Sequence, residues 1–417
     1  MKLEVLTIGT ELLLGHTVDT NAAELGRALA AAGAEIVRHT TVPDRPEAIR
    51  AAVAEALDRT GFVITTGGLG PTRDDMTKNV VADLLQKRLV LDERLLGSIE
   101  ERFRRMGRPM PALNRTQAEV PEGAAVLSNP RGTAPGLWVE DGRGRVVVLL
   151  PGVPREMRGL VVEHVLPRLL ERQGEAGERR VVQSHTVRTT GVSESALAER
   201  VGEIEPQIAP LTLAYLPSVE GVDLRVTAWG LEPAEAEARL AAAMDRLRAA
   251  ADGHAYGGDE ADLAAVVLET LRRGRHRLGV AESCTGGMLA ERITAIPGAS
   301  DTFIGGVVAY ADVIKTAALK VPLETLEAHG AVSEETVRAM AEGAQRLFSV
   351  DCTIAVTGIA GPGGGAPEKQ VGTVWLAARV HTTTRAVKRL FPGDREEIRR
   401  RAAQAGLDLL RRLLVEP

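Results

Sequence analysis

Gly61-Phe62-Val63-Ile64-Thr65-Thr66-Gly67-Gly68-Leu69-Gly70-Pro71-Thr72-Arg73-Asp74-Asp75 is the stretch on which the fold of this chain turns. The apolar run up to Thr66 is short, β-rich and closed by glycines, which reads as a buried strand. The polar residues that follow then occupy the loop after a strand's C-terminus, the place where open α/β sheets bind ligands.

Outward from this stretch the same alternation recurs. Residues 3–8 and 34–41 predict strands, residues 21–32 and 48–57 predict helices, and Gly33 stands where a helix-closing glycine belongs. Residues 146–150 predict a final apolar strand, followed by Pro151, Gly152 and Pro154 and a helix to about Leu170. Short β-rich runs alternating with Ala/Leu-rich amphipathic segments predict a parallel sheet covered by helices. The polar run 173–178 reads as a linker.

From residue 181 to about 251 the order changes to strand, helix, two strands around Gly221 and a long Ala-rich helix, a small α+β unit. This order is similar to a K-homology (KH) module. It has no Gly-x-x-Gly loop between helical segments, and without that backbone clamp RNA binding is not expected. Residues 254–259 read as a second glycine-rich link, after which helix and strand alternate again. Three domains are therefore expected, over residues 1–172, 173–256 and 257–417.

Composition limits the function classes. With 417 residues, 44% hydrophobic and 26% charged, the chain can fill several cores. A formal net charge of −5 argues against broad attraction to nucleic acid or anionic lipid and favours small-molecule chemistry. Cys284 and Cys352 are too few for a disulfide framework and have no metal-ligand spacing around them. Met1 leads straight into a strand pattern, with no apolar run of membrane length, so a cytoplasmic protein without membrane contact is expected.

Three polar loops are expected to gather at one edge of the first sheet: Gly9-Thr10-Glu11 with Asp19-Thr20-Asn21, Asp44, and Thr66 to Asp75. Gly67, Gly68 and Gly70 allow close backbone approach, and amide N–H groups with the hydroxyls of Thr10, Thr66 and Thr72 suit a phosphorylated ligand. Carboxylates alone would repel phosphate. Asp44, Asp74 and Asp75 make sense there if Mg²⁺ or another divalent cation lies between them and the phosphates, or if one of them orients a water.

In the second half, Leu278-Gly279-Val280-Ala281 reads as a strand feeding Glu282-Ser283-Cys284-Thr285-Gly286-Gly287 and a helix over residues 288–294. Ser283 is thus placed at the positive end of a helix, where amides near Gly286 and in the Thr357 loop are expected to stabilise an oxyanion, with Gly286 and Gly287 as candidate substrate-binding residues. His276, His329 and His381 stand in polar, surface-like contexts and offer no triad partner. Lys315, at a strand-to-helix transition, can take the serine proton if burial lowers its pKa, and Tyr310 can donate a hydrogen bond to the substrate or keep the lysine neutral. The Thr357-Gly358 loop repeats the phosphate-cradle chemistry. Arg395 and Arg399, at i and i+4 on the last helix, can reach a phosphate or carboxylate.

Residues 66–77 and 151–154 resemble the signatures of the molybdopterin-binding domain shared by MoaB and MogA, and Asn129-Pro130-Arg131-Gly132-Thr133-Ala134-Pro135-Gly136 narrows the resemblance to the CinA branch. The resemblance implies a MogA-like fold and, in that branch, a metal-dependent ADP-ribose pyrophosphatase. The family's acids fall on Asp44 and Asp75. Leu69 departs from the family's loop threonine, which weakens a molybdopterin-binding reading.

Residues 281–287, 310–315, 330–333, 357–364 and 371–374 resemble the CinA C-terminal domain. This implies nicotinamide mononucleotide deamidation without a cofactor, Ser283 in the nucleophile position and Lys315 in the base position. Tyr310, Thr357 and Arg395 or Arg399 match the remaining active-site positions, and the resemblance implies a homodimer. Two rivals remain at this point, a molybdopterin carrier and a non-catalytic scaffold associated with DNA uptake, the latter disfavoured by the acidic net charge.

Overall fold

The computed structural model describes residues 1–175 and 180–415. The chain forms two compact units, Met1–Gln183 with Ala228–Ala238, and Ser184–Thr227 with Arg239–Pro417.

The first unit is built on a six-stranded sheet. Glu35–Val42, Lys2–Ile8, Phe62–Thr66 and Val146–Leu150 run parallel in that spatial order, and Gly136–Glu140 and Ala125–Leu127 extend the sheet antiparallel. The expected parallel sheet therefore carries an antiparallel edge. Asp141 explains it: Oδ1 accepts from the amides of Arg143 and Arg145, closing a turn too short for a parallel crossover.

Both faces of this sheet are buried, as period-2 alternation requires. Val146, Val148 and Leu150 pack into one core with Leu25, Leu29 and Leu160, while Val147 and Leu149 pack into the other with Ile49, Val53 and Val81. The strand register aligns Ile8 with Val42, Thr7 with Thr66, and Thr66 with Leu150, so four loops leave at one edge. There Gly67 has φ +113° and a Cβ on it would meet the Ile8 carbonyl oxygen at 2.1 Å, so only glycine fits.

The helix after this sheet continues through a π-helical turn over Val161–Val165 to Glu175. The expected linker at 173–178 is thus helical in its first part; residues 176–178 lie outside the described residues.

A four-stranded sheet is formed by Thr212–Pro217, Val222–Leu231, Val181–Thr189 and Ala255–Gly258. The last strand corrects the reading of residues 254–259 as a link: it pairs antiparallel with residues 187–189. The adjacent glycines Gly257 and Gly258 conceal its strand character in the sequence.

The remainder of the second unit has a five-stranded sheet, Phe303–Val308, Leu278–Glu282 and Cys352–Gly358 parallel, then Thr373–Val380 and Thr383–Leu390 antiparallel. Residues of Leu263–Gly274, Met288–Thr294 and Arg395–Val415 share one core with it, and residues of Glu334–Phe348 share the other. No described helix is long and apolar enough to cross a membrane.

Candidate functional sites

In the second unit the parallel strands end in register, Glu282 beside both Val308 and Val356. Ser283 follows directly, its amide donating to the Val356 carbonyl at 2.8 Å, and the Ala309 amide donates to the Glu282 carbonyl at 2.7 Å. The sheet therefore brings Ser283, Thr357 and the segment leading to Tyr310 and Lys315 to one edge.

Ser283 is 8% exposed and its hydroxyl makes no hydrogen bond among the described residues. The neighbouring Cys284 is no competitor for its role. Burial, with Glu282 adding to it, pushes the thiol up to about 12, so a thiolate is not available near neutral pH.

Lys315 is 1% exposed, the largest fully buried side chain described. Its Nζ donates to the Asp312 carboxylate at 3.0 Å and to the Tyr310 carbonyl at 3.2 Å. The expected direct bond from Lys315 to Ser283 is not made in this structure. An ammonium has three donors, and two are held on the side of its own helix turn.

Glu282 was not singled out in the sequence, and it alters the site. Its carboxylate is buried and accepts from the amides of Gly287 at 3.0 Å, Leu289 at 3.1 Å and Ala290 at 2.8 Å. The Gly286 amide bonds to the Ser283 carbonyl and that of Met288 to the Thr285 carbonyl. This corrects the expected oxyanion role of amides near Gly286: those of Gly286 and Gly287 are engaged within the turn. A buried carboxylate needs donors, and the positive end of the helix supplies them. The signal was available as an acid immediately before a turn of helix-starting length. Thr285 Oγ1, in contrast, is buried with no partner among the described residues.

The tyrosine and arginines are brought together. Arg395 donates to the Gly361 carbonyl at 2.6 Å and to the Tyr310 hydroxyl at 2.9 Å, and Arg399 donates to the Thr285 carbonyl at 2.7 Å. A cleft of about 660 Å³, lined by Met288, Gly361, Pro362, Arg395 and Arg399, opens here. Tyr310 is 58% exposed, whereas the Thr357 hydroxyl is buried and donates to the Ala331 carbonyl at 2.8 Å. Thr357 thus fastens the loop after its strand to the segment before Ser333, with Gly358 half-buried beside it.

In the first unit the three loops do gather at one edge, but their hydroxyls are committed internally. Thr66 donates to the Pro151 carbonyl and accepts from Asn21 Nδ2, both at 3.0 Å, and Asn21 also donates to the Gly152 carbonyl at 2.7 Å. Thr66 and Asn21 are thereby loop ties rather than free donors. Thr10 binds Asp44, and Thr72 binds Asp75. Gly9 and Gly70 pack against the carboxylates of Glu11 and Asp75 so closely that a Cβ would fall 2.5 and 2.3 Å from them. Gly68 likewise faces Thr77.

Leu69 is buried in the core beneath this loop with Val80 and Val81. Its departure from a threonine is therefore paid back in packing, with no side chain presented to a ligand.

No group of three or more His, Cys, Asp or Glu residues able to hold a metal occurs among the described residues. The donors here are hard carboxylate oxygens: Asp74 is exposed, and Asp75 has one oxygen engaged by Thr72. That set fits a Mg²⁺-type cation that keeps waters and takes its other ligands from substrate phosphates.

The family profile described as CinA C-terminal domain matches residues 260–414, that described as probable molybdopterin binding domain matches 4–171, and that described as damage-inducible protein CinA KH domain matches 184–257. A CinA-like protein of Gemmatimonas aurantiaca is 53% identical over 413 residues, covering 99% of this chain and 96% of that protein. A CinA-like protein of Gloeobacter violaceus is 45% identical, covering 99% and 96%. A putative competence-damage inducible protein of Symbiobacterium thermophilum is 43% identical, covering 99% and 98%.

Proposed function

Because the chain belongs to the CinA family, we propose that its C-terminal domain is a hydrolase that cleaves the carboxamide of nicotinamide mononucleotide, releasing nicotinate mononucleotide and ammonia. The observation that carries this reading is a buried serine directly after one strand, its hydroxyl without a hydrogen-bond partner among the described residues, and a fully buried lysine in the short helix that follows the adjoining strand.

In this reading Lys315 Nζ takes the Ser283 hydroxyl proton as Oγ attacks the amide carbon. Collapse of the tetrahedral adduct breaks the C–N bond, and the leaving nitrogen takes that proton and departs as ammonia. Water then hydrolyses the acyl-serine to the carboxylate. Substrate binding must bring Nζ towards Oγ, since catalytic contacts in unliganded enzymes are commonly long. With the Gly287, Leu289 and Ala290 amides held by Glu282, the Cys284 and Thr285 amides and the Thr285 hydroxyl are the donors in this turn left for the oxyanion. Arg395 and Arg399 supply the charge that would hold a phosphate.

Ammonia release from nicotinamide mononucleotide by the full chain and by Ser283→Ala tests this. Loss in the variant with an unchanged melting profile supports the reading; near-normal turnover in it ends the assignment.

A second reading concerns the first unit, where Asp44 and Asp75 are each fixed by the amide and hydroxyl of one threonine. We propose a metal-dependent hydrolysis of the ADP-ribose pyrophosphate to AMP and ribose 5-phosphate. Asp74 and Asp75 would hold the cation, which when bound neutralises phosphate charge. Asp44 would orient the attacking water, and the glycine loop admits the pyrophosphate close to the backbone. Phosphomonoester products retained by an Asp44→Ala, Asp75→Ala double variant with added Mg²⁺ would exclude it.

A further inference from the structure

A second cavity of the Ser283-containing unit, about 510 Å³, shares no lining residue with the cleft beside Arg395. Arg385 and Arg389 line it from a strand and Arg401 and Arg412 from the last helix, with the carboxylates of Glu220 and Asp408. Glu220 is paired with arginines outside the lining, and Asp408 is shared between Arg411 outside it and Arg412 within it. Glu220 lies 3.7 Å from Arg292 and 3.5 Å from Arg400, and Asp408 accepts from Arg411 at 2.7 Å. Neither acid pairs with Arg389 or Arg401, which leaves positive charge at that part of the lining.

Two buried donors of this lining are also unanswered. Gln404 is 2% exposed; its Oε1 accepts from Arg292 at 2.9 Å, but its Nε2 has no partner among the described residues, and neither has Arg401 Nε. Buried N–H groups are normally paired, so two beside one cavity point to an acceptor brought by a ligand. Apolar side chains are interleaved with these arginines: Val387 lies between Arg385 and Arg389 on one strand face with Leu376 beside it, and Phe391 and Leu409 also line the cavity. Gly191, at φ +72°, closes the rim, where a Cβ would sit 3.3 Å from Asp408 and 3.5 Å from Arg412.

We propose that this cavity is a binding site for a nucleoside monophosphate, the phosphate against Arg401, Gln404 and Arg389 and the base against Phe391. Arginines among apolar side chains suit a ligand that is anionic at one end and planar at the other. The volume suits a mononucleotide and exceeds the need of a bare phosphate.

Hydrogen–deuterium exchange of the full chain, with and without millimolar AMP, tests it without interference from other sites, because the readout is local. Slower exchange at residues 190–193 is expected, reached at lower concentration with AMP than with inorganic phosphate. Arg401→Ala and, as a surface control on folding, Arg389→Glu should each raise the AMP concentration for half-protection at least about tenfold, while Arg395→Ala should not. Absence of protection at 190–193, or protection that survives both Arg389→Glu and Arg401→Ala, overturns the site. Equal response to AMP and inorganic phosphate overturns the nucleoside assignment.

Discussion

Thr10 donates its backbone amide and its hydroxyl to the same oxygen of Asp44, at 2.8 and 3.0 Å. Thr72 repeats the arrangement on Asp75, its amide at 2.9 Å. Each carboxylate is thus aimed by a neighbour on a loop that leaves the same sheet edge.

Removing the hydroxyl should loosen this aim without removing the acid. Thr10→Val and Thr72→Val are expected to lower ADP-ribose hydrolysis about 10–100-fold, as losses of supporting hydrogen bonds commonly do. Ammonia release by the same proteins should be unchanged. Phosphate released from the products by an added phosphatase measures the first activity.

Ser283 and Cys284 are adjacent, and only one should matter to chemistry. With its thiol pushed up to about 12 by burial, Cys284 should resist iodoacetamide at pH 7.5 in the folded protein, and treated enzyme should keep its ammonia release. Ser283→Ala should lose at least about 10³-fold in kcat. Intact mass after alkylation, together with the ammonia assay, checks both halves.

Tyr310 accepts from Arg395, which also holds the Gly361 carbonyl. Tyr310→Phe removes one anchor of a cation placed to meet substrate. An increase in KM of about tenfold, equivalent to ~1.4 kcal/mol, is expected with kcat little altered. Steady-state kinetics on nicotinamide mononucleotide separate the two constants.

Lys78 follows the Asp74-Asp75 loop, donates to the Thr116 carbonyl, and is lowered by burial from 10.5 to about 8, Glu119 opposing the change. Below about pH 8 it is charged whether the chain is folded or unfolded, and the folded state bears the desolvation cost. Between about 8 and 10.5 the unfolded chain keeps a proton that the folded one has released, so this residue makes stability rise with pH by at most about 3 kcal/mol. Urea unfolding of Lys78→Met at pH 7.5 and 10 should show that rise abolished.

Where chemistry follows strand ends, the sequence was a good guide. Val146–Leu150 and Met288–Thr294 lie where periodicity put them, and the glycine loops follow their strands. The hairpin at Asp141-Gly142 carried a recognisable turn signal but was obscured by the short runs beside it. Arg399 reaching the Thr285 carbonyl across 114 positions is a tertiary event with no local signature. The pairing of Lys315 with Asp312, by contrast, has the i, i+3 spacing of helical neighbours and could have been read.

Glu282 ends one strand, and its side chain is fastened to the first amides of the next helix. Ser283 to Gly286 therefore form a bridge anchored at both piers by a single residue, with no slack to absorb a change of span. Residue number within it is fixed as tightly as the serine itself: one inserted or deleted position would pull the carboxylate off its amides and swing the serine out of line with its strand.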